Sequence, residues 1–132
     1  MERIFQDTEF DVDTLNGEKV SELKGLVDID NPDDTPILVY LKTERGDWYR
    51  FFLDAGLAFW EEGEDLVNEI DENTREVDYA ETYKLRNNCI KKIKCVNSTV
   101  IISFAEEKEF ILKFKDETDI DSDSVVTLKS IS

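Results

Sequence analysis

No histidine occurs among the 132 residues of this chain. Without an imidazole, no Ser–His or Cys–His couple can activate a nucleophile, and the commonest proton shuttle near neutral pH is missing. Cysteine is present only as Cys89 and Cys95. On one strand, six residues of separation put them about 20 Å apart, beyond the roughly 7 Å that a disulfide spans, so both read as reduced core residues. Neither has the further Cys or His neighbours that a zinc site needs. The five glycines stand singly, which leaves no Gly-rich loop to cradle a phosphate. No stretch approaches the ~20 apolar residues of a membrane helix. The opening Met1-Glu2-Arg3-Ile4-Phe5-Gln6-Asp7 carries two acids with no apolar run behind them, unlike a secretion signal. These absences lead to the expectation of a cytoplasmic, non-enzymatic protein with no cofactor, no metal and no membrane span.

What is abundant is acid. Thirty-two Asp and Glu against sixteen Lys and Arg give a formal charge of −16, while 40% of the residues are hydrophobic. That apolar share suffices for a core, and the length is that of one domain, expected over residues 1–132.

Short apolar and aromatic runs separated by turn residues dominate from Thr35 onward, the pattern of antiparallel strands. Runs at 36–43, 48–53 and from Leu57 onward are joined by Glu44-Arg45-Gly46-Asp47 and Asp54-Ala55-Gly56, a meander. Farther on, 89–96 and 99–105 flank the two-residue loop Asn97-Ser98, and strands are expected at 109–115 and 124–129. That loop sets a register of Val96 with Thr99, Cys95 with Val100, Ile93 with Ile102 and Lys91 with Phe104. Val100 to Phe104 is apolar on both faces, which predicts a central strand covered on two sides. Residues 3–12 suggest an opening strand. Residues 17–24 place Val20, Leu23 and Lys24 at helical spacing with Gly25 as a stop, although strand stays open. Residues 64–72 fit helix or strand equally. The expected fold is mainly β, an antiparallel sandwich or partly closed barrel with at most two short helices.

The acids cluster. Between Glu61 and Glu81 ten acids stand against Arg75 alone, whereas Thr82 to Ala105 holds five bases (Lys84, Arg86, Lys91, Lys92, Lys94) and no acid. Solubility needs only dispersed charge; a contiguous anionic face focuses potential and speeds encounter with a basic partner. The expected contact residues are Glu61, Glu62, Glu64, Asp65, Glu69, Asp71 and Glu72. An acidic protein-binding module follows, with an inhibitor or immunity-type partner of a basic protein as its concrete form. Direct nucleic-acid binding is disfavoured by the charge, and the lysines at 84–94 read as a solvated or edge-strand guard.

Other constellations carry less. Asp119, Asp121 and Asp123 alternate like calcium-loop ligands, but Ser124 and Ser130 stand where Gly and Glu are required; Asp11, Asp13 and Glu22 fail at Leu15 and Asn16. Asp54, Glu61 and Glu62 beside the aromatic run 48–60 make a poor glycosidase pair. That run reads as core; the alternative is a β-barrel module in which it lines a small-ligand pocket. Arg50, inside the run, calls for a carboxylate partner, Asp54 or Glu61.

Overall fold

The computed structural model describes residues 2–63, 70–116, 118–119 and 122–130. They form β1 (Glu2–Asp7), β2 (Phe10–Val12), β3 (Val20–Asp28), β4 (Pro36–Thr43), β5 (Trp48–Asp54), β6 (Leu57–Gly63), β7 (Thr74–Asp78), the helix α1 (Tyr79–Thr82), β8 (Ile90–Val96), β9 (Thr99–Phe104), β10 (Lys108–Phe114) and β11 (Ser124–Ser130). All pairings are antiparallel: a six-stranded sheet ordered β1-β6-β5-β4-β3-β7 faces a five-stranded sheet ordered β11-β10-β9-β8-β2. The mainly β antiparallel expectation is met, as two packed layers.

Alternation decides which side chains meet between the layers. In β5, Tyr49, Phe51 and Leu53 point inward; in β9, Val100, Ile102 and Phe104 do. One cluster joins Leu23, Leu41, Phe51 and Trp60 of the first sheet to Ile93, Ile102, Phe110 and Leu112 of the second. Phe51 and Phe110 meet edge to face across the layers, 6.5 Å between ring centroids. Each such side chain contributes about 1.5–3 kcal/mol on burial. Cys95 lies in this core, and Cys89, half-buried, precedes β8; both thiols are free. Burial pushes the Cys95 thiol up to about 12, which keeps it protonated.

Two turns are set by chemistry legible in the chain. Ala55-Gly56 and Asn97-Ser98 adopt left-handed backbone at both central residues, the geometry that matches the twist of tight hairpins.

Four expectations are corrected. Residues 3–12 form two strands in different sheets: the chain leaves the first sheet after Asp7 and joins the edge of the second at Phe10, with Phe5 stacked on Phe10 at 4.7 Å. Residues 20–28 are strand, paired on both sides by β4 and β7, so tertiary pairing overrides the local helical spacing. Gly25 is no helix stop; it sits mid-strand beneath Tyr79, whose hydroxyl would come within 2.6 Å of an added Cβ. Val96, Cys95 and Ile93 keep the expected register, but a bulge between Ile90 and Lys92 puts Ile90, not Lys91, opposite Phe104. An unbroken ladder would have driven Lys91 into the core, and the extra residue avoids burying that charge. β9 is central as expected but buried on one face only; Ile101 and Ser103 on its outer face are half-buried.

Among the described residues the helix lies at 79–82, outside the 17–24 segment. Residues 64–69 of the ambiguous segment lie outside the described residues, and the rest of it leads into a turn before β7. Among the described residues no helix is long and apolar enough to cross a membrane.

Candidate functional site

Antiparallel strands return every second turn to the same end of a sandwich. Here the turns after β1, β3, β5, β8 and β10, and the residues before β7, meet at one end. Ser98 ties three of them together: its amide donates to the Thr8 carbonyl at 2.9 Å and its hydroxyl donates to the Gly56 carbonyl. The Ile29 amide donates to the Asn73 carbonyl at 2.8 Å, and a shallow cleft of about 200 Å³ is walled by Asp28, Thr35, Leu53 and Asp123.

This end is densely anionic. Asp7 and Glu9, Asp28, Asp30, Asp33 and Asp34, Asp54, Asp71 and Glu72, and Asp116, Asp119 and Asp123 are all exposed there. The bases among these loops are Lys115 and Arg75, and Arg75 is already bound to Asp34. Several of the acids are fixed by capping their own turns. Asp71 accepts from the Asn73 amide at 2.8 Å, and Asp116 accepts from the hydroxyl and amide of Thr118, which hold its carboxyl below the usual range.

The expected contact residues do not share one face. Glu61 is buried at 4% exposure on the outer face of the six-stranded sheet. Arg3 donates to it at 3.0 Å and Arg50 at 2.9 Å, so it is the partner that Arg50 required, and its charge is spent inside the protein. Burial alone would raise the Glu61 carboxyl, but the hydrogen bonds and charges of Arg50 and Arg3 outweigh it and hold the group below its ordinary value. Glu62, one residue on, is exposed at the opposite end of the sandwich from Asp71 and Glu72: β6 ends against Trp48, whereas Thr74 pairs with Asp28. Glu64, Asp65 and Glu69 lie outside the described residues. Of the seven, Asp71 and Glu72 belong to the anionic end.

The basic segment is likewise divided. Arg86 is held by Asp78 at 2.8 Å and by Glu22 and Glu81. Lys92 and Lys94 point outward from β8, which is shielded by β2 and is no edge.

The aromatic run 48–60 splits between two faces. Phe52 and Phe59 stack at 4.7 Å outside, with the Arg3 guanidinium 4.8 Å from the Phe59 ring. Tyr49, Phe51 and Trp60 are inside. Where β1 and β2 leave one flank of the sandwich open, Tyr49 and Trp60 together with Ile4, Phe5, Val12, Thr14 and the carboxylates of Asp11, Asp13 and Glu62 line a cleft of about 460 Å³. The indole Nε1 of Trp60 is buried there without a hydrogen-bond partner among the described residues. On the other flank, Val77, Tyr79, Tyr83 and Val126 line a cleft of about 320 Å³.

No group of three or more His, Cys, Asp or Glu among the described residues is placed to hold a metal ion. No family model matches the chain, and neither a curated protein nor a solved structure does.

The loop-end acids escape a search for contiguous charge because they come from five separate segments. The usable signal is that acids recur in alternate turns of a meander.

Proposed function

We propose that this protein is an acidic, non-enzymatic binding module that docks a basic protein on the loop end of its β-sandwich, in the manner of an inhibitor or immunity-type partner. The supporting observation is the gathering of exposed carboxylates from five segments onto one end with Lys115 and an already paired Arg75. Such a surface steers a cationic partner at long range and sets which partners are rejected.

The test is affinity capture from lysate with three proteins: the parent, a loop-end variant (Asp30→Asn, Asp33→Asn, Asp71→Asn) and a control neutralised at the other end (Glu44→Gln, Glu106→Gln, Glu107→Gln). A basic protein should be retained at low salt by the parent and the control, released at high salt, and lost by the loop-end variant. Equal retention by both variants, or none by the parent, overturns the assignment.

A separate observation supports a second role, small-ligand binding. Two aromatics of the 48–60 run, Tyr49 and Trp60, wall an open cleft of about 460 Å³, within the range of roughly 300–1,000 Å³ typical of ligand sites.

A further inference from the structure

We infer that the open edge of β11 takes an extended basic segment of the docking partner as a sixth strand of the smaller sheet. This deepens the basic-partner reading and rests on it.

Among the described residues the two sheets end on β1, β7, β2 and β11. Native edges are guarded against pairing by charge, by bulges or by short length. β1 carries Glu2, Arg3 and Asp7 and shifts register between Arg3 and Phe5, β7 carries Arg75, Glu76 and Asp78 in its five residues, and β2 is three residues long. β11 has none of these guards. Its seven residues pair with β10 in unbroken register, and Lys129 is the one charge beside Val125, Val126, Thr127 and Leu128.

The backbone groups on the open side can be assigned. The Lys115 amide donates to the Asp123 carbonyl at 2.7 Å, one step beyond the Phe114–Ser124 pair. Alternation along an antiparallel ladder then turns the backbone of Val125, Thr127 and Lys129 toward β10, and that of Ser124, Val126 and Leu128 away from it. Among the described residues no hydrogen bond uses these outward groups.

Room for a strand lies beside them. The larger sheet has six strands and the smaller five, and because β11 packs over β4, the strands β3 and β7 overhang it. The helix α1 covers part of the overhang at β3. What remains is the cleft of about 320 Å³ walled by Val77, Tyr79, Tyr83 and Val126. Side chains of an added strand alternate, so every second one enters this cleft and the others face solvent. Charge selects the segment. Asp33 and Asp34 stand exposed at the lip; Arg75 binds Asp34, whereas Asp33 has no ion pair and no base lines the cleft among the described residues.

The test titrates three acetylated, amidated heptapeptides into the full chain and follows amide exchange by NMR. The first alternates lysine with valine, the second is the same peptide with N-methyl groups on two consecutive central amides, one on each edge, and the third alternates glutamate with valine. The first should bind saturably and slow exchange at Val126 and Leu128 about tenfold, while Val125 and Thr127, already in the ladder, stay unchanged. The N-methylated and glutamate peptides should bind about tenfold more weakly. Val126→Pro removes an N–H that makes no ladder bond and puts its ring on the open side, a placement edge strands tolerate. It should lose the lysine peptide at an unchanged melting temperature. Equal binding of the N-methylated peptide overturns strand addition while the anionic docking end stands. Equal binding and protection by the glutamate peptide overturn the basic segment and count against the basic-partner reading itself. No protection by any peptide overturns the proposal, as does concentration-dependent protection in the chain alone, which would assign the edge to a second copy.

Discussion

Glu61 shows how little an acid's position in the chain says about its availability. It belongs to the densest acidic run, yet Arg3 and Arg50 flank it from the neighbouring strands and its side chain is almost fully buried. Its lowered pKa is a stability statement. The contribution is fully present above the ordinary glutamate range, about 4.3, and is lost as pH falls through the lower folded value. Replacing Glu61 by Gln removes the carboxylate charge that Arg50 and Arg3 share. The expected cost at pH 7 is about 2 kcal/mol, less than the roughly 3–5 for breaking a fully buried pair because Arg3 is half-exposed. In denaturant melts the gap between parent and variant should close as pH drops below about 4; a gap constant with pH would mean that the carboxylate charge is not what stabilises this site. That Arg50 needs an acid is legible from its apolar neighbours. That Glu61 supplies it follows from the β5–β6 turn, whose Asp54-to-Leu57 pairing sets Arg50 opposite Glu61.

Among the elements, β8 is one where local pattern and tertiary demand disagree. Ile93 and Cys95 alternate inward, and strict alternation would next send Lys91 to the core; the bulge moves Ile90 there instead. Deleting Lys91 should therefore restore a regular ladder with Ile90 still opposite Phe104, at a cost under about 1.5 kcal/mol by urea denaturation. Deleting Lys94 should send Ile93 outward and Lys92 inward, a loss of more than about 3 kcal/mol. Equal destabilisation by the two deletions would show that the bulge does not carry the register. β3 makes the complementary point. Its residues read locally as a short helix with a glycine stop, but pairing on both sides and the seat for Tyr79 over Gly25 fix it as an interior strand. β4 is the next strand along the chain, but β7 is paired to it from some fifty residues away in sequence.

For the whole molecule, the loop end gathers like charges in a protein whose formal charge is −16. Self-repulsion opposes compactness, and salt screens it over about 10 Å at 0.1 M. The melting temperature should rise by about 5 °C between about 10 and about 300 mM NaCl, because the repulsion is long-range and exposed whereas the Glu61 pairing is shielded. A fall with salt would show that surface ion pairs such as those around Arg86 outweigh the repulsion. The two candidate sites lie in different places, the anionic end across the turns and the aromatic cleft on the β1–β2 flank, so each is testable with the other intact.

The order of apolar and polar residues was enough to specify an antiparallel β protein, most of its strand positions, the hairpin register at Asn97-Ser98 and the exclusion of histidine chemistry. These are local matters of period, turn geometry and composition. Which carboxylates stand together was decided only in three dimensions. Strand reversal sends adjacent acids such as those around Glu62 and Asp71 to opposite ends, and collects at one end acids that are scattered along the chain.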